Sequence, residues 1–132
     1  MRRIVPWLAC LLLVLAGCGG NPLPEGMEEQ PLLAAGWEVA DQMIAGDYGA
    51  VAERFRADVA VTEEDLRALM ETALEGAGDY VQHEDGMVTG QESGGEQYGV
   101  AALLCRYREA KVLFRVAFDP NMELIGMEVR QQ

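Results

Sequence analysis

Between Lys111 and Phe118 the chain alternates strictly, with Val112, Phe114, Val116 and Phe118 falling to one side and Lys111, Leu113, Arg115 and Ala117 to the other. Side chains of an extended strand repeat every two residues, so this segment predicts a β-strand with one buried face. The alternation also restricts its neighbours, because a slip of one residue would turn their apolar sets away from the core. With a turn at Arg108-Glu109-Ala110-Lys111, Tyr107 faces Val112, Cys105 faces Phe114 and Leu103 faces Val116. With another at Asp119-Pro120-Asn121-Met122, Val116 faces Ile125, Phe114 faces Met127 and Val112 faces Val129. Both hairpins then bring apolar residues to the same side.

An earlier strand is predicted from Tyr80 to Gln91, with an irregularity at Asp85-Gly86 and a return through Ser93-Gly94-Gly95. Pairing Glu92 with Glu96 would aim Val81, His83, Met87 and Thr89 at the core. Ahead of this strand the period is helical. Leu33, Trp37, Ala40 and Ile44 share a stripe that Val39 and Met43 widen, and Gly46 is a natural stop. Asp47 is expected to cap a short second helix carrying Tyr48, Val51, Ala52 and Phe55 on one side. Thr62-Glu63-Glu64-Asp65 reads as a capping box with Asp in the usual Glu position. It opens a third helix with Leu66, Leu69, Met70 and Ala73 on its apolar face, ended by Gly76 and Gly78. Helices followed by an antiparallel meander predict an α+β fold, in which N-terminal helices pack on one face of a curved antiparallel four-stranded sheet.

The order of four softer motifs carries a family resemblance. Gly46-Asp47-Tyr48 leading to Phe55, Val61-Thr62-Glu63-Glu64-Asp65-Leu66, Val112 to Asp119, and Leu124-Ile125-Gly126-Met127 together resemble the bacterial "domain of unknown function 3887". The resemblance spans about Leu33 to Val129. It implies an NTF2-like or cystatin-like fold and an accessory extracytoplasmic domain, of a kind found in exported lipoproteins and fused ahead of alpha/beta hydrolases. It carries over no catalytic residue, and fold alone supplies no function.

The chain opens with Arg2 and Arg3, an apolar stretch from Ile4 through Leu15, and small residues up to Cys18. That layout is a secretory signal, and its apolar part is shorter than the roughly twenty residues a permanent span needs. Leu15-Ala16-Gly17-Cys18 resembles the lipobox of bacterial lipoproteins, which implies cleavage before Cys18 and a diacylglyceryl group on its sulfur. The expected organisation is therefore a signal peptide over 1–17, a lipidated tether over 18–31 rich in Gly, Pro and Glu, and one α+β domain over 32–132. The expected location is the extracytoplasmic side of the cell membrane, held there by the lipid.

Charge and cysteine usage narrow the partners. The whole chain carries 22 acidic against 10 basic residues, a formal −12, and loss of Arg2 and Arg3 makes the remainder more acidic still. Such a surface repels phosphates, so nucleic acid is not an expected partner. Once Cys10 leaves with the signal and Cys18 takes lipid, Cys105 alone remains, within the apolar run Val100 to Cys105. It is expected as a small buried hydrophobe.

Little points to chemistry. His83 is the only histidine, no Gly-x-Ser-x-Gly elbow is present, and neither zinc nor calcium ligand spacings occur. No catalytic residue, cofactor or metal is therefore assigned. Two constellations stand out. Trp37, His83, Cys105 and Tyr107 are expected to line an inner pocket, where His83 could act as a base in a small isomerase or hydro-lyase. Leu104, Arg106, Leu113, Arg115 and Leu124 are expected on the outer face of the sheet, as a homodimer patch or as arginines lying over scattered leucines. The preferred expectation is a non-enzymatic module that binds a small molecule, a peptide or an envelope protein.

Overall fold

Seven elements follow one another in the computed structural model, which describes residues 21–132: α1 (Glu29–Ile44), α2 (Tyr48–Ala52), α3 (Glu63–Ala73), β1 (Tyr80–Ser93), β2 (Glu96–Tyr107), β3 (Lys111–Phe118) and β4 (Leu124–Gln131). The strands form one antiparallel sheet in the order β1-β2-β3-β4. The helices cover one face of it, giving the predicted α+β arrangement.

A side-chain cap starts one of the three helices. At α3 the capping box closes: Asp65 N–H donates to Thr62 Oγ1 and Thr62 N–H donates to Asp65 Oδ2, each at 3.1 Å. Two orphan amides of the helix terminus are thereby satisfied. Asp47 does stand at the N-cap of α2, yet its side chain makes no capping hydrogen bond. Phe55 lies beyond that helix and bridges Leu124 in a parallel sense. Helix α1 lies close on β2, because a Cβ at Gly36 would sit 2.6 Å from Ala101 Cβ. A larger residue there would lift the helix off the sheet.

The registers differ from expectation in instructive ways. In the β2–β3 hairpin Cys105 pairs with Val112, Leu103 with Phe114 and Ala101 with Val116, two residues from the predicted pairing. Tyr107 N–H donates to Ala110 C=O, while Arg108 and Glu109 N–H donate to Asp79 and Ala77 C=O. Residues 108–109 are thus held by the α3–β1 connection, which moves the turn toward β2. A shift of two keeps each side chain on its face, so the apolar set survives. The β3–β4 ladder moves likewise, with Val116 opposite Met127 and Phe114 opposite Val129.

Leu124, expected on the outer face, is instead turned inward by a register irregularity between Ala117 and Phe118 and is fully buried. Its N–H donates to Arg54 C=O and its C=O accepts from Arg56 N–H, so the incoming chain dictates its orientation.

For β1, Ser93 pairs with Glu96 and Glu92 with Gln97, one residue from the predicted register. Gly94 and Gly95 both have positive φ, +58° and +83°, as a two-residue hairpin turn demands. That slip puts Met87, 62% exposed, on the outer face opposite Ala102, whereas Val88 packs against the core. Thr89 faces outward too, opposite Val100, and Val81 is also exposed. Irregularities between Tyr80 and Gln82 and between His83 and Asp85 bring Tyr80 opposite Tyr107 and His83 opposite Cys105.

The expected free tether ends earlier than Pro31. Asn21 C=O accepts from Gly90 N–H, its own N–H donates to Thr89 Oγ1, Met27 joins the core, and α1 already begins at Glu29. Apolar residues within the Pro-rich stretch drive this docking, and Gly90 permits it by lacking a Cβ. The expected signal at 1–17 and the lipidated Cys18 lie outside the described residues.

Candidate functional site at the Trp37–His83 stack

Helix α1 projects Trp37 and Asp41 from one face, four residues apart, toward the start of β1. The imidazole of His83 stacks on the Trp37 indole, with ring centroids 3.8 Å apart and planes 19° apart. His83 Nε2 lies 2.7 Å from Asp41 Oδ1. Tyr80 approaches His83 edge-on at 6.4 Å and Tyr107 at 5.6 Å. Beneath the indole runs Gly86, where a Cβ would stand 3.1 Å from Trp37 Nε1. A side chain at position 86 would press on the ring, so glycine gives the indole room to approach the strand.

Behind the stack the interior is filled. Cys105 is fully buried and Tyr107 nearly so. Burial, with a smaller contribution from the Asp41 carboxylate, pushes the Cys105 thiol up to about 11, so it stays protonated and unreactive at neutral pH. Burial also pushes the Tyr107 phenol up to about 12. The four residues expected to line a pocket are thus brought to one end of the sheet, but as a packed wall. Asp41 and Tyr80 were missed at the sequence level. The spacing of Trp37 and Asp41 on one helix face was the available signal for the first.

On the outer face, Leu104, Arg106, Leu113 and Arg115 do lie together as expected. Arg106 and Lys111 pair with Glu84 at 2.9 and 3.5 Å, and Arg115 and Arg130 pair with Glu128 at 3.2 and 3.5 Å. The Arg106 guanidinium is the main reason that the Glu84 carboxyl titrates below its ordinary range. Leu104 and Leu113 are partly covered.

A third feature had no sequence expectation. An apolar groove of about 290 Å³ opens between α3 and β4, lined by Phe55, Val59, Leu66, Leu69, Ile125 and Met127, with Asp65 at its margin. Among the described residues there is no cluster of three or more His, Cys, Asp or Glu side chains arranged to hold a metal ion. None of the described helices is long and apolar enough to cross a membrane.

Comparison with known proteins gives two positive findings. The family model described as "Protein of unknown function (DUF3887)" matches residues 37–127. The chain is similar to a protein from Ruminococcus gnavus ATCC 29149 solved by NMR, with a TM-score of 0.67 and 25% identity over 81% of this chain and 95% of that one. No curated protein matches the sequence.

Proposed function

We propose, on the premise that this chain belongs to the DUF3887 family, that it is a membrane-anchored, extracytoplasmic binding module that works without catalysis. The observation that carries this reading is the packed inner wall. In place of the expected pocket, Trp37 stacks on His83 at 3.8 Å with Cys105 and Tyr107 buried behind the pair. Recognition then falls to surfaces, and the apolar groove beside β4 offers one. The anchoring half of the reading rests on Leu15-Ala16-Gly17-Cys18. Two acyl chains hold a small domain at a bilayer far more firmly than one. Intact mass analysis from the native host tests it. The expected species begins at acylated Cys18 and sediments with membranes, and Cys18→Ser releases it. An unacylated chain that retains Met1 would refute the anchor.

One observation favours a second reading. The 2.7 Å contact of Asp41 with His83 is the arrangement by which a carboxylate orients an imidazole base. A small isomerase or hydro-lyase would use it. His83→Gln discriminates: unchanged ligand binding and unchanged cell phenotype remove the enzyme.

A further inference from the structure

We propose that the groove between α3 and β4 takes an extended peptide, which adds to the free edge of β4 as a fifth strand and seats apolar side chains against Leu69 and Met127. This deepens the binding-module reading and rests on it. Strand β4 ends the sheet, and Gln132 N–H donates to Lys111 C=O. Because antiparallel pairs alternate in hydrogen bonding, that contact places the bonded pairs at Leu113–Arg130 and Arg115–Glu128. The N–H and C=O groups of Met127 and Val129 therefore point away from β3, where Met127 is half-buried and Val129 is 6% exposed.

The chain itself already uses this edge as a template. Residues 54–56 run parallel to β4 at Leu124, with Leu124 N–H donating to Arg54 C=O and Arg56 N–H donating to Leu124 C=O. The segment leaves after Arg56, and a guest strand continues the same ladder from Met127 onward. The opposite edge is less suited, because β1 carries two register irregularities and pairs with Asn21. Irregular or covered edges discourage strand addition, whereas the β3–β4 ladder is regular from Met127 onward and lies beside an apolar groove. Charge selects the guest: Asp65 lines the groove and the chain is formally −12, so lysine or arginine should flank the apolar residues.

The test uses the purified full-length chain in detergent and a fluorescein-labelled peptide that alternates lysine with valine. A second peptide replaces each valine by proline, which keeps the charge, removes the N–H donor at every second residue and disfavours a ladder strand. The valine peptide is expected to bind about ten-fold more tightly than the proline one. It should also slow hydrogen exchange within residues 125–131. Leu69→Gln is expected to weaken binding about five-fold or more, and Met87→Gln on the outer face to leave it unchanged. Equal affinity for both peptides, or slowed exchange confined to the outer face, overturns the proposal. So does concentration-dependent dimerisation that protects 125–131 without peptide, which would give the edge to a second copy. None of these results bears on acylation of Cys18, so the anchor and the groove fail separately.

Discussion

Trp37 and His83 lie face to face at 3.8 Å, joining α1 to the first residues of β1 across the end of the sheet. The early part of β1 is exposed from Tyr80 to Asp85, so this stack, with Asp41 behind it, is its main attachment to the helices. Trp37→Ala should destabilise the fold by about 2–3 kcal/mol, below the full cost of a core aromatic because Trp37 keeps some exposure. Hydrogen exchange should rise first over residues 80–86. Urea unfolding with exchange measured by segment checks this, and unchanged exchange in that segment would count against the stack as its anchor.

Arg56 ties three acids together, two of them remote in sequence. It reaches Asp58, Glu96 and, at 3.3 Å, Asp119, which is 3% exposed. Asp119 Oδ1 also accepts from Asn121 and Glu123 N–H, so it organises the turn before β4. Arg56→Ala should lower the urea midpoint, and Arg56→Lys should fall between, because an ammonium keeps the charge but not the planar fork. The Arg56 guanidinium also holds the Asp58 carboxyl below its ordinary value of 3.8. That contribution is present above 3.8 and is lost as pH falls through the lower folded value. The acid arm of the stability profile should therefore flatten in Arg56→Ala.

How much of this was legible depends on what periodicity can carry. The alternation of Val112, Phe114, Val116 and Phe118 named the buried face of β3 correctly, and a two-residue error in each adjoining ladder left that face intact. In β1 the signal failed, because Gly86 and Gly90 face inward without a side chain and two irregularities reset the count. The Gly94-Gly95 pair held the missing information, since a two-residue turn with positive φ at both positions forces Ser93 opposite Glu96. Of the candidate site, Trp37 and His83 were identified. The Arg56 fan was not, because its partners Glu96 and Asp119 lie 40 and 63 residues away in sequence.

Gly90 should prove the least replaceable residue of β1. An alanine Cβ there would sit 1.9 Å from Pro22 O and 2.8 Å from Pro22 C, both backbone atoms that cannot rotate aside. Gly90→Ala should detach residues 21–24 from the sheet edge and cost about 1–3 kcal/mol, with exchange at position 90 accelerated and the β2–β3 ladder unaffected. Gly126→Ala makes the control, because its Cβ would stand 3.7 Å from Ala117 Cβ, an ordinary contact. Its effect should stay within about 0.5 kcal/mol. Equal midpoints for the two variants would contradict the docking of 21–24.

Cys105 converts burial into a pH dependence. In the unfolded chain its thiol titrates near its ordinary value of 9.0, whereas in the fold burial pushes it up to about 11. The unfolded form therefore loses the proton first, so the stability tied to the neutral thiol is complete below 9 and is lost as pH rises from 9 through 11. Tyr107 follows the same direction at higher pH, so wild type must be compared with Cys105→Ala to isolate the thiol. The variant should lose about 1 kcal/mol of packing near neutrality, and that deficit should shrink as pH approaches about 10.5. Alkylation provides a second check, since the buried thiol should resist iodoacetamide until urea unfolds the chain. Rapid modification of the native protein, or a deficit that stays constant with pH, would mean that solvent reaches the sulfur.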